Sequence, residues 1–243
     1  MKENINDKIE LDAGKNIEYL KELLHDNSDV IFRTFNVGEW KAALVYIDGM
    51  ANNQLLNHYV LEPLMLCSKG IESVEEIKDT VLAVTDMREV KKLSEGVNAT
   101  LSGDTLMFID ELNCAYVIAT RAWPARGVAD PSGETVIRGA REGFTETIRV
   151  NTALIRRRIR DTRLRIKPKA IGTRSKTDMA IMYIDDIVNK EVLQELEDRI
   201  ERINIDAVFD SAYIEQLIED NKYSPFPQIR SEEHTSELQS PVR

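Results

Sequence analysis

Arginine is the residue type this chain concentrates where chemistry with anions would need it. Val136–Ile159 reads VIRGAREGFTETIRVNTALIRRRI, placing Arg138 and Arg141 beside Gly139 and Gly143, then Arg156, Arg157 and Arg158 after a helical period, with Arg160 just beyond. Glycines among charged residues suit a tight loop with unusual torsions. A helix starting at Phe144 would offer its first amides to an anion beside Arg138 and Arg141. An internal network of those arginines with Glu142 explains the same residues without any ligand. The cluster at Arg156–Arg160 carries three readings. Arginines near a helix C-terminus complement its dipole, worth ~0.3–1 kcal/mol each when exposed. Next to them, the basic outer face of Arg163, Arg165, Lys167 and Lys169 discourages sheet edges from pairing. Alternatively, the face docks on an acidic protein surface or near anionic lipid headgroups.

Other groups are less specific. Gly172-Thr173-Arg174-Ser175-Lys176-Thr177 contains the Lys-Thr pair of a phosphate loop, but Ser175 stands where a glycine should precede the lysine. The stretch also joins two expected strands, so a hairpin turn accounts for it better. Asp185-Asp186 offers carboxylates to a metal, yet a position between strand and helix makes them terminators of the one and starters of the other. His25 and His58 fall in expected helices, and neither GxSxG nor HExxH occurs. Cys67 and Cys114 lie far apart without a CxxC, which favours two small buried residues over a disulfide or a zinc site. No catalytic set emerges, and no metal or cofactor is expected.

The elements that would position these residues divide at a Pro/Gly-containing connector. A length of 243 residues with 42% hydrophobic and 30% charged content suits one large or two small globular domains. Ile17, Leu20, Leu23 and Leu24 mark a short helix, and Asp29–Asn36 with Trp40–Ile47 mark strands around a turn at Val37–Glu39. Asn52–Leu66 reads as a helix with Leu55, Leu56, Tyr59 and Val60 on one side. Thr80–Val84 reads as a strand, Arg88–Val97 as a helix, and Thr105–Ile109 with Ala115–Thr120 as paired strands. Beyond the connector, Phe144, Ile148, Ile155 and Ile159 repeat at helical spacing. In Arg163–Ala170, Leu164, Ile166 and Pro168 alternate with basic residues, as in a half-buried edge strand. Met179–Ile184 suits a strand buried on both faces. Val192, Leu193, Leu196, Ile200 and Ile203 form an amphipathic helix, and Tyr213, Ile214, Leu217 and Ile218 a shorter one. The fold class is therefore α/β (α+β): an N-terminal subdomain at residues 1–122, a connector at 123–133, and a second mixed subdomain at 134–220.

Charge narrows the function classes. The chain carries −10 overall, yet Arg138–Lys169 holds 11 Lys/Arg against three acids, so the remainder carries −18. General nucleic-acid affinity is excluded by that balance, while one basic face remains for an acidic partner. No run approaches the ~20 apolar residues of a membrane-spanning helix. The polar start MKENINDKIELDAGK does not read as a secretory signal, so the chain as given is expected to be soluble.

With Val136–Ile159, the segments Gly103–Asp110 (GDTLMFID), Ile118–Val128 (IATRAWPARGV), Ser211–Asp220 (SAYIEQLIED) and Ser224–Ile229 (SPFPQI) resemble the soluble N-terminal part of the A subunits of GerA-type spore germinant receptors. The resemblance runs from about Asp29 to Ile229, departing where the family usually has proline and this chain has Ala140. It implies a receptor component in the spore inner membrane, with its soluble part facing the core, and not an enzyme. It further implies a permease-like B subunit and a lipoprotein C subunit as partners, self-association, and membrane attachment through a region beyond residues 221–229. Assembly and signal coupling are the expected tasks of this portion; a germinant-binding cleft between the subdomains is the alternative. Arg230–Arg243 (RSEEHTSELQSPVR) departs from the family and reads as translated sequencing adapter, so it stays outside the fold reasoning.

Overall fold

The computed structural model describes residues 5–25, 27–66, 73–74, 76–77, 86–122, 144–209 and 211–219. These form two compact units. One comprises the described residues within Met1–Trp123 and Thr152–Leu164, the other those within Pro124–Asn151 and Arg165–Arg243. The division interleaves along the chain, where the sequence suggests a single boundary.

The first unit is built on an antiparallel sheet. Its strands are β1 (Val30–Val37), β2 (Trp40–Ile47), β3 (Met87–Val90), β4 (Thr105–Ile109) and β5 (Ala115–Ile118), in the order β1-β2-β4-β5-β3. The β1–β2 hairpin runs in register from Val30 opposite Ile47 to Val37 opposite Trp40. Gly38 lies in its two-residue turn at φ +61°, a torsion that favours glycine. Successive residues of a strand point to opposite faces. In β2, Ala43, Val45 and Ile47 therefore enter one core and Ala42 and Leu44 another. The first core is closed by helix α1 (Ala13–Leu24), through Ile17, Leu20 and Leu24, and by helix α3 (Leu93–Leu101), through Leu93, Val97 and Leu101. The second is closed by helix α2, which runs α-helical over Asn53–Leu55, π-helical over Leu56–Leu61 and α-helical again over Glu62–Leu66.

The π stretch has an identifiable cause. Pro63 in an α-helix lacks an amide and would press its ring on the carbonyl of Tyr59. Widening the preceding turn, where the Glu62 amide reaches back to the Asn57 carbonyl, relieves that contact. Widening also shifts the helical phase. Leu56, Val60, Leu61 and Leu64 are buried, whereas Tyr59, expected on the inner side, is 58% exposed.

Two further expectations change. Residues 88–90, assigned from sequence to a helix, form β3 and pair with β5, and α3 starts only at Leu93. That helix start has no local side-chain cap. Its cap is Asp7, whose carbonyl accepts from the Leu93 amide at 3.1 Å and whose carboxylate accepts from the Ser94 amide at 3.2 Å. The expected strand Thr80–Val84, Cys67 and the connector from residue 123 onward lie outside the described residues.

Helix α4 (Ile148–Arg158) starts in the second unit and continues into the first. The second unit contains strands β6 (Leu164–Ile171, from Arg165) and β7 (Thr177–Ile184), which pair, and helices α5 (Lys190–Glu201) and α6 (Ser211–Ile218). A five-residue connection permits only antiparallel pairing of β6 with β7. Its core gathers Ile171, Ile181, Leu193, Ile200 and Val208, with Ile214 and Ile218 of α6 partly buried against them. In β7 only Ile181 is fully buried, so the expectation of a strand covered on both faces fails: a two-stranded sheet has one packed layer to offer. In β6 the alternation also departs from the sequence reading, with Pro168 exposed and Arg165 buried. Val192, expected on the inner face of α5, is 62% exposed. The fold class is nonetheless the expected one, mixed helices with antiparallel sheets. No helix among the described residues is long and apolar enough to cross a membrane.

Candidate functional site

The C-terminal half of α4 holds the most consequential side chain among the described residues. The helix begins at a reciprocal pair: the Thr145 amide donates to the Asn151 side-chain oxygen at 2.7 Å, and the Asn151 side-chain amide donates to the Thr145 carbonyl at 2.7 Å. Residues three apart share a helix face, so Ala153, buried in the first unit's core, directs Arg156 inward with it. Arg156 is 0% exposed. Its Nε donates to Asp29 Oδ2 at 2.7 Å and its Nη2 to Asp29 Oδ1 at 3.0 Å, a fork-to-carboxylate pair. Nη2 also donates to the Leu164 carbonyl at 3.2 Å and Nη1 to the Asp161 carbonyl at 3.3 Å. The Asn27 side-chain amide donates to the same Leu164 carbonyl at 2.9 Å and to the Leu24 carbonyl at 2.8 Å. Desolvating a guanidinium costs several kcal/mol unless its donors are satisfied. Here the bidentate partner and two carbonyls supply that compensation.

This geometry corrects one expectation: Arg156 belongs to an internal ion pair and leaves the exposed docking set. Arg158 and Arg160 are exposed and Arg157 is half-buried. Arg160 Nε donates to the Arg157 carbonyl at 3.3 Å and Nη1 to Ser102 Oγ at 3.4 Å. The other three candidates, Arg138, Arg141 and Glu142, lie outside the described residues.

Strand β6 lies at an edge of its two-stranded sheet, and its cations also pair within the second unit. Arg165 Nη2 donates to Asp185 at 3.3 Å, Lys167 to Glu197 at 2.7 Å, and Lys169 to Glu201 at 2.9 Å. Lys167 also lies 5.5 Å from the Tyr183 ring centroid. Hydrogen bonding to Glu197 is the main reason its ammonium pKa lies above the usual lysine value. The Asp185 carboxyl is held below the usual range, first by its hydrogen bond to Lys190 and less by Arg165. That carboxylate ends β7 and joins charged neighbours, and no cluster of three metal-ligating residues occurs among the described residues.

The Gly172–Thr177 loop does not work as a phosphate cradle. Its amides at Thr173, Arg174 and Ser175 donate to the carbonyls of Ile205 and Asp206, so the chain itself occupies the positions an anion would need. His58 sits on the surface against Glu62 at 3.3 Å, and His25 ends α1 at φ +49°. Cys114 is buried, and that burial pushes its thiol pKa up. An open groove of about 810 Å³ runs along α5 and α6. Its charges are mixed, and Arg199 there is already bound to Glu195 and the Ile218 carbonyl.

Sequence reasoning missed Asp29, Asn27 and Asp161, because nothing local announces a partner 127 residues from Arg156. It also missed Asp104 with Arg121, paired at 2.9 and 2.7 Å. The signal for that pair was present, since both residues lie in segments singled out by resemblance. Asp104 follows Gly103, which sits at φ +95°, and the neighbouring hydroxyls of Thr105 and Thr120 meet at 2.8 Å.

Comparison with known proteins gives a consistent answer. The family model of the Bacillus/Clostridium GerA spore germination protein matches residues 18–239. Spore germination protein B1 of Bacillus subtilis (strain 168) is 36% identical over 242 residues, covering 96% of this chain and 49% of that protein. The uncharacterized membrane protein YfkQ of the same strain is 34% identical, covering 95% of this chain and 45% of its own length. The crystal structure of the N-terminal domain of the A subunit of the Bacillus megaterium spore germinant receptor GerK3 matches with a TM-score of 0.71 at 27% identity, over 97% of this chain and 89% of that one. The chain thus spans about half the length of the curated relatives it matches.

Proposed function

Because the chain belongs to the GerA family of spore germination proteins, we propose that it is the N-terminal portion of a germinant-receptor A subunit and serves receptor assembly and signal coupling. The observation that carries this reading is the match over 97% of the chain to the N-terminal domain of such a subunit. The charged chemistry of the described residues favours it too. Arg156, Arg165, Lys167 and Lys169 are spent on internal pairs, which suits a scaffold that holds shape while touching other proteins. On this reading the whole subunit sits in the spore inner membrane with this portion toward the core. Its partners are a permease-like B subunit, a lipoprotein C subunit and further copies of itself.

Of the described candidate docking residues, Arg158 and Arg160 are exposed and Arg157 beside them is half-buried. Rim charges of this kind steer association and set specificity more than they supply affinity. The test replaces Arg158 and Arg160 by Glu in the full-length subunit and measures germination rate and recovery of the partner subunits. Reduced recovery with an unchanged melting temperature of the isolated portion supports the docking role. Normal recovery and normal germination refute it. Calorimetric titration of the portion with amino acids and sugars gives no heat if coupling is its task, and saturable heat if it holds the germinant.

A further inference from the structure

We infer that Arg156 is the positioning residue that fastens both described chain crossings between the two units to the first unit's sheet. The inference rests on the coupling role proposed above and names the residue through which that coupling passes. Within the described residues the chain passes from the second unit into the first inside α4, between Asn151 and Thr152, and returns between Leu164 and Arg165. Arg156 lies just over one helical turn after the first crossing. Leu164, the last residue before the second, gives its carbonyl to Arg156 Nη2 at 3.2 Å. The remaining donors reach Asp29, immediately before edge strand β1, and the Asp161 carbonyl. Asn27 adds a second donor to the Leu164 carbonyl from the segment between α1 and β1.

One planar guanidinium therefore joins the incoming helix, the outgoing strand and the start of β1. Its full burial holds Thr152–Leu164 on the first unit, because a displaced cation would have to leave Asp29 unpaired away from water. Energetic coupling between distant parts travels through such rigid, hydrogen-bonded elements. The segment it pins carries Arg157, Arg158, Arg160 and Arg163, whose peptide bonds trypsin can cut only once the backbone there leaves its folded conformation.

Two arms test the inference. In the 243-residue chain, Arg156→Met is treated with trypsin under native conditions. The expected result is a first cut at residues 157–163, about a hundredfold faster than in the parent, leaving the β2–β4 sheet region and the α5–α6 region as stable fragments. An unchanged rate, or first cuts scattered through the sheet, overturns the clamp. In the full-length receptor, Arg156→Lys keeps the charge but loses the fork; the expected result is slowed germination with normal receptor abundance. Normal germination in a variant whose segment is shown by trypsin to be released overturns the coupling role. A receptor lacking residues 5–219 serves as reference. If that receptor germinates normally, the assembly-and-coupling reading itself falls, and this inference with it.

Discussion

Removing the Arg156 side chain should be among the most damaging single substitutions in the first unit. Arg156→Met leaves the Asp29 carboxylate, itself only 8% exposed, without its cation, and withdraws a donor from the Asp161 carbonyl. The Leu164 carbonyl keeps Asn27 as a donor, so its loss is partial. Breaking a buried pair by removing one partner costs about 3–5 kcal/mol, because the surviving charge stays desolvated. For a unit of this size that corresponds to roughly 10–20 °C in melting temperature. Adding Asp29→Leu removes the stranded charge. What remains is one lost donor at each of two carbonyls that keep another, the Leu164 amide at 3.2 Å for Asp161 and the Asn27 side chain for Leu164, about 1 kcal/mol. The double variant should therefore be more stable than Arg156→Met alone, and a double-mutant cycle by urea unfolding should return a coupling of at least 2 kcal/mol by the same arithmetic. Additive losses, or an Arg156→Met cost below about 1 kcal/mol, would show the pair to be screened by water and would refute the reasoning.

Glycine substitutions probe both units. An added methyl at Gly96 in α3 would lie 2.8 Å from the Leu106 side chain, which is 0% exposed and would have to shift within the core. Overpacking of about 1–3 kcal/mol outweighs the ~1 kcal/mol gain in helix propensity, so Gly96→Ala should lower the urea midpoint of the first unit. At Gly172, φ +91° and the Asp206 carbonyl 3.3 Å from an added methyl make Gly172→Ala destabilising by about 1–2 kcal/mol, read as a lower melting temperature of the second unit alone. Asp185 has a folded pKa below its unfolded value, so its stabilising contribution is complete above the unfolded pKa and fades as pH falls through the folded one. Acid titration of stability should show that decline at the low end of the carboxylate range, and Asp185→Asn should flatten part of it. A variant with the same acid slope as the parent would remove Asp185 from that account.

How much of this was readable beforehand depends on whether an element is specified locally. Helix α1 carries its own cap in Asp12 and its own apolar stripe, and the β1–β2 hairpin carries its turn glycine, so both follow from neighbouring residues. The start of α3 does not. Val90, Leu93 and Val97 keep helical spacing, but pairing of β3 with β5 takes residues 87–90, and the cap comes from Asp7 far upstream. Periodicity also cannot count layers: Met179–Ile184 is apolar throughout, yet its sheet has only two strands. The arginine run was the hardest case. Arg156, Arg157 and Arg158 are identical in type and adjacent, and only the helical phase relative to Ala153 distinguishes the one that turns inward. The family resemblance and the mixed fold class were legible because they rest on many residues at once, whereas the clamp rests on a single long-range pair.

The central claim is that this portion holds the receptor together and couples it. The most direct measurement solubilises spore inner membranes and compares recovery of the permease-like and lipoprotein subunits on the tagged A subunit, with and without residues 5–219. Loss of both partners together with loss of the germination response is the predicted result. Undiminished recovery with an undiminished response would contradict it.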